Sequence, residues 1–273
     1  KSGFTIETGQ GKYDAGRKEL TITQNATISN SEATEDVLII DGGSEKVPLE
    51  ITLNGININR TNKSPNVPAI KIASGSYVKF ILQNENSIAT NTEQGTDATT
   101  GVITLEDKDN PSSLTITGQG TLNITANSGI NAIAGQGSVI NIEDGTIKAN
   151  SGIGGLESTV TVTGGNITID DEKGCTACIG NGKSVSISGE STNITLKNPS
   201  VGIDADDIDI VESEINITYG ADYTKSGTGI TYSNSLEMSD CKYVITEKRS
   251  EVKATGISAN AGTAEISNCK MDM

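Results

Sequence analysis

Leu114-Thr-Ile-Thr-Gly-Gln-Gly-Thr-Leu-Asn-Ile124 sets the pattern of this chain. It holds two short stretches of alternating apolar and polar residues, separated by a glycine-bearing break. The phrase returns at Val139-Ile-Asn-Ile, Val160-Thr-Val-Thr, Val185-Ser-Ile-Ser, Ile208-Asp-Ile-Val, Leu236-Glu-Met-Ser and Ala264-Glu-Ile-Ser, each followed by a second short run. A third element then lands on a Gly-Ile-like pair: Gly129-Ile130, Gly152-Ile153, Cys178-Ile179, Gly202-Ile203, Gly229-Ile230 and Gly256-Ile257.

Ile116, Ile142, Val162, Ile187, Ile210, Met238 and Ile266 hold one position in this repeat, at steps of 26, 20, 25, 23, 28 and 28 residues. A strand-rich unit recurring every 20–30 residues marks a solenoid. Period-two alternation buries one side of each strand and leaves the other wet. Three short strands per unit and no helical period predict an all-β chain, a single parallel β-helix of about ten coils. Successive coils would hydrogen-bond about 4.8 Å apart and stack Ile, Leu and Val into internal ladders. The β-helix is expected over residues 19–273. Residues 1–18, with Phe4 and Tyr13, are expected to cap its N-terminal edge, because an open edge recruits other strands. The repeat stops in mid-coil at Met273, which predicts a fragment of a longer protein, monomeric or associating end to end. A start at Lys1 without Met fits removal of either a signal peptide or a tag.

Composition narrows the function. The 273 residues carry a net charge of −15, which argues against nucleic acid as partner because its phosphates would be repelled. No apolar run approaches the roughly 20 residues of a membrane span, so no membrane insertion is expected. Histidine is absent, which removes the commonest general base and the base of an ordinary serine triad. Arginine occurs at positions 17, 60 and 249 only, none beside the Asp-rich coil near residue 205, so a calcium-dependent lyase with an Arg base is poorly provided for.

Thr52-Leu-Asn-Gly-Ile-Asn-Ile58, the stretch 114–124, Gly145-Thr-Ile-Lys-Ala149, Ser151-Gly-Ile-Gly-Gly155 and Val162-Thr-Gly-Gly-Asn-Ile167 resemble repeats of secreted Gram-positive surface proteins built on pectate-lyase-like right-handed β-helices. Gly202-Ile-Asp-Ala-Asp-Asp-Ile-Asp-Ile210 is similar to the coil motif of the clostridial carbohydrate-binding β-helix family. The resemblance spans residues 19–273. It implies a right-handed helix, a secreted, cell-surface location and calcium-containing, non-catalytic binding of acidic or cellulosic polysaccharide. The chain departs from the pattern after Gly180, where the Gly-Ile-Gly-Gly signature lapses and the coils turn acidic and tyrosine-bearing.

Within those coils, Asp209, Glu237 and Glu265 each fall between two inward residues, so they should point outward and stack. Like charges about 5 Å apart repel by about 1 kcal/mol even in water. Asp204, Asp206 and Asp207 crowd the entry to the same face. Calcium takes several carboxylate and carbonyl oxygens, so these six acids are the candidate metal ligands. The alternative is a solvated acidic surface relieved by Lys242, Lys248 and Lys270. Glu143, Asp144, Asp170, Asp171 and Glu172 are turn acids and weaker candidates.

Aromatic faces are common platforms for sugar rings. Tyr243 aligns with inward Ile215 and reads as core. Tyr219, Tyr223 and Tyr232 fall at strand ends or in the 219–228 loop, where they either form an exposed ligand-binding platform or cover a corner. Cys241 and Cys269 lie one coil apart in matching contexts, close enough for a disulfide or an unoxidised stack. Cys175-Thr-Ala-Cys178 has redox or zinc spacing. The other pair is coils away, so a four-thiolate zinc site is rejected and Cys178 is expected to replace the Gly before Ile179.

The sequence therefore predicts a non-catalytic binder of polysaccharide or host or cell-wall glycan, with calcium as the candidate cofactor, on the outward face of residues 200–270. A structural adhesin stalk is the main rival, and a calcium-dependent polysaccharide lyase the weaker one.

Overall fold

In the computed structural model, residues 1–61, 67–92, 100–106, 110–171, 175–248 and 253–272 are described. Glu172, Arg249 and Met273 lie outside them. The described residues form strands and turns with no helix, so none is long and apolar enough to cross a membrane.

Among the described residues, strands from Glu19 onward pair with one another in parallel, and they fall into three stacks. The first stack aligns Leu20, Leu38, Ile70, Ile103, Ile133, Ile153, Ile179, Ile203, Ile230 and Ile257, each registered on the next. The second aligns Ala26, Ile51, Phe80, Ile116, Ile142, Val162, Ile187, Ile210, Met238 and Ile266. The third aligns Ile58, Ile88, Ile124, Ala149, Ile169, Leu196, Ile217 and Ile245. Each circuit of the chain contributes to all three, and the ladders meet in one apolar core. Fully burying one such side chain stabilises by about 1.5–3 kcal/mol, so repetition rather than any single rung holds the stack.

The repeat position read from Ile116 to Ile266 is thus a physical column. One landing pair is displaced: Ile133, not Ile130, registers on Ile153, so Ala132-Ile133 takes the place expected for Gly129-Ile130. Ile130 is itself buried, and the residues ahead of Ala132 are an inserted corner that fills its own space.

At the N-terminal end the pairing changes sense. Thr5–Thr8 runs antiparallel to Ala26–Ser29, and Gly11–Asp14 antiparallel to Glu19–Ile22. Buried Asp36 ties this segment down, accepting hydrogen bonds from the Gly3 amide at 2.6 Å and the Tyr13 hydroxyl at 3.1 Å. At the other end, Thr255–Ala259, Thr263–Ser267 and Lys270–Asp272 form the last circuit, and Ile266 is 42% exposed.

In the later repeats the first and second stacks merge. Ile179–Ser188, Val201–Val211 and Thr228–Ser239 each run through both without a break. The ladder keeps step only by slipping between Gly180 and Gly182 and between Ala205 and Asp207. Such bulges bend a strand and re-aim a side chain. They make the corner at which the candidate site lies.

Candidate functional site

The slip leaves Asn181 and Asp206 out of the ladder at the corner between the first two stacks. Asn181 holds φ of 70°, a left-handed conformation that Asn tolerates better than most residues. Beneath it the backbones of neighbouring circuits close up: a Cβ on Gly182 would lie 2.6 Å from the carbonyl oxygens of both Gly155 and Ser158. Glycine is needed there for close approach.

A groove of about 720 Å³ follows this corner across successive circuits. Its polar lining is Glu157, Asn181, Lys183, Asp204, Asp206, Ser233 and Asn260, with Leu156 as its large apolar side chain, 49% exposed. Carboxylates, amides, a hydroxyl and one aliphatic surface suit a ligand rich in hydroxyl groups. The Asp204 carboxyl is held above the usual aspartate range, mainly because it is partly desolvated and secondly because Asp206 is close. Among the described residues, neither aspartate is in an ion pair.

The six expected acids divide between two places. Asp204 and Asp206 line the groove, whereas Asp209, Glu237 and Glu265 register one above another on the outward side of the second stack and are exposed. Asp207 is exposed beside that column and accepts a hydrogen bond from the Ser235 hydroxyl at 2.7 Å. These acids do not converge as one ligand set: among the described residues, the one group of three metal-ligating side chains within 4.8 Å is Asp171, Cys175 and Cys178. Nor do the expected lysines relieve the column. Lys242 pairs with Glu214 at 2.6 Å on the third stack, Lys270 registers on Lys242 there, and Lys248 follows the same strand.

The tyrosine platform is corrected. Tyr219 is wholly buried and Tyr232 is 5% exposed, so neither ring can face a ligand. Tyr219 continues the inward alternation of Ile215 and Ile217, and Tyr232 stacks over the small Ala205. Tyr223 is half-buried with its ring centroid 5.6 Å from that of Tyr219, and it packs against the core outside the groove. Tyr243 is core, as its register with Ile215 requires.

The sulfurs of Cys241 and Cys269 lie 2.7 Å apart, both as free thiols. Sequence reading missed the groove because Glu157, Asn181 and Asn260 are distant in the chain. The signal available was Gly180-Asn-Gly182, a break in an otherwise continuous strand. A second concavity, also about 720 Å³, lies at another corner and is lined by Gln83, Asn84, Gln119 and Thr121.

Parallel strands stacked in register, with a corner groove of carboxylates and amides, define an all-β repeat domain equipped for a polar ligand. Residues 16–272 match a family described as carbohydrate-binding domain-containing protein, and the chain belongs to that family. This agrees with the clostridial carbohydrate-binding resemblance read from residues 202–210. No curated protein and no solved structure gives a significant match.

Proposed function

We propose that this domain binds a polysaccharide without transforming it, in the groove beside Asp204 and Asp206, with calcium as a bridge to acidic sugar. The family match over residues 16–272 carries the carbohydrate reading. Partly desolvated Asp204 beside Asp206 supports the cation, since two close carboxylates are eased by a hard divalent ion. These two would hold calcium, whose remaining oxygen ligands would come from water and sugar. Calcium would neutralise the charge that otherwise repels a polyuronate. The exposed column Asp209, Glu237 and Glu265 raises the local cation concentration rather than chelating as a unit.

The non-catalytic reading is supported by the absence of histidine from the chain. The three stacks are read as faces of one right-handed parallel β-helix, since crossover connections between parallel strands are right-handed in about 98% of cases. Residues 1–18 serve as its cap. A secreted, cell-surface protein would carry Cys241 and Cys269 as a disulfide.

The test is a glycan array probed with and without a calcium chelator, using wild type and the Asp204→Asn/Asp206→Asn double variant. Binding to acidic polysaccharide that needs calcium and is lost in the double variant supports the reading. Absence of binding to every glycan would leave a structural stalk, and release of unsaturated product from pectin would establish a lyase.

A further inference from the structure

We propose that Asp171, Cys175 and Cys178 form a second, buried metal site, specific for a thiophilic divalent cation of the zinc class. The three ligand atoms lie within 4.8 Å of one another at the corner between the third and first stacks, and all three residues are buried. The Cys175 and Cys178 sulfurs are 4.0 Å apart. Two thiolates on one tetrahedral zinc, with bonds of about 2.3 Å, sit about 3.8 Å apart. A disulfide brings them to about 2.05 Å. The observed spacing, a thiol–thiol contact, is within a few tenths of an ångström of what a shared ion requires, so little movement is needed to bind one.

The backbone holds the ligands on rigid ladder positions. The Asp171 amide donates to Lys197 O at 2.9 Å, the Cys178 amide to Val201 O at 3.0 Å, and Cys178 O accepts from the Ile153 amide at 2.9 Å. The Cys175 amide donates to Asp171 Oδ1 at 2.9 Å, which orients the carboxylate toward the sulfurs. Cys178 stands where the two adjacent circuits have Gly152 and Gly202, so its thiol is added to a corner that has no side chain in the circuit on either side. The four-thiolate arrangement is ruled out because Cys241 and Cys269 face each other instead.

Binding releases two thiol protons to solvent, and the divalent cation with two thiolates and one carboxylate leaves a single net negative charge at the site. A fourth position is left for water. Thiolate ligands select zinc-class ions over calcium, so this site is chemically separate from the groove and does not rest on the carbohydrate reading.

Cobalt(II) added to the reduced, chelator-treated full chain tests this directly. The expected result is one equivalent bound, with thiolate-to-cobalt charge transfer and the visible bands of a tetrahedral ion, displaced by zinc. The bands should persist in Cys241→Ser/Cys269→Ser, vanish in Cys175→Ser and weaken at least tenfold in affinity in Asp171→Asn, with circular dichroism verifying the fold of each. Absence of the bands in wild type overturns the site. So do bands that follow Cys241 and Cys269, or that keep wild-type affinity in a folded Asp171→Asn variant.

Discussion

The hydroxyl of Tyr243 donates a hydrogen bond to the main-chain oxygen of Gly256, 2.8 Å away, through space that a side chain on Gly229 would occupy. A Cβ on Gly229 would lie 1.8 Å from that hydroxyl and 2.6 Å from Gly256 O. The large ring fits a core built for aliphatic side chains because the opposite wall is glycine. Gly229→Ala should therefore cost about 1–3 kcal/mol through overpacking. Thermal melts check this. The cost should be smaller when Tyr243→Phe is already present, and equal costs in the two backgrounds would contradict the packing relation.

Asp204 is predicted to trade stability for binding. Its folded carboxyl sits above the ordinary value of 3.8, mainly through desolvation, so folding disfavours its charged form. Below 3.8 both states are mainly protonated and nothing is lost; the penalty grows as pH rises from 3.8 to the folded value and is complete above it. Without calcium, Asp204→Asn should melt higher than wild type at neutral pH, and the gap should close as pH falls toward 3.8. A variant that melts lower at neutral pH would refute this.

The carboxylate column makes a separate prediction. Glu237 lies between Asp209 and Glu265, so Glu237→Gln removes two like-charge neighbours at once. Melting temperature should rise at low ionic strength, and the gain should fade in high salt as screening sets in. A gain independent of salt would have another origin.

Cys241 and Cys269 are 28 residues apart in sequence and adjacent in space. Burial, and secondly the hydrogen bond with Cys269, pushes the Cys241 thiol up to about 12, so spontaneous oxidation at neutral pH should be slow and should quicken under alkaline conditions. Once formed, the crosslink should add about 2–4 kcal/mol in denaturant melts. Reductant should erase that gain in wild type and have no effect on Cys269→Ser.

The register was legible in the sequence because one column position, from Ile116 to Ile266, recurs with an apolar residue each time and corner insertions leave it untouched. The same logic correctly stacked Asp209, Glu237 and Glu265. It failed where the decisive partner lies across the core. Tyr219 is hidden because a Cβ on Gly227 would lie 2.4 Å from its ring, a vacancy that no local pattern reveals. The landing at Ala132-Ile133 was missed because Gly129-Ile130 imitates it three residues earlier. The groove was out of reach for a similar reason: bulges at Asn181 and Asp206 depend on how neighbouring circuits bend together.

The most direct test of calcium-bridged sugar binding is calorimetric titration of an acidic oligosaccharide into wild type and into Asp204→Asn/Asp206→Asn, each with calcium and with chelator. Wild type should lose at least tenfold in affinity when calcium is removed, and the double variant should show the weaker affinity under both conditions. Equal affinities in all four titrations would contradict the assignment of the groove.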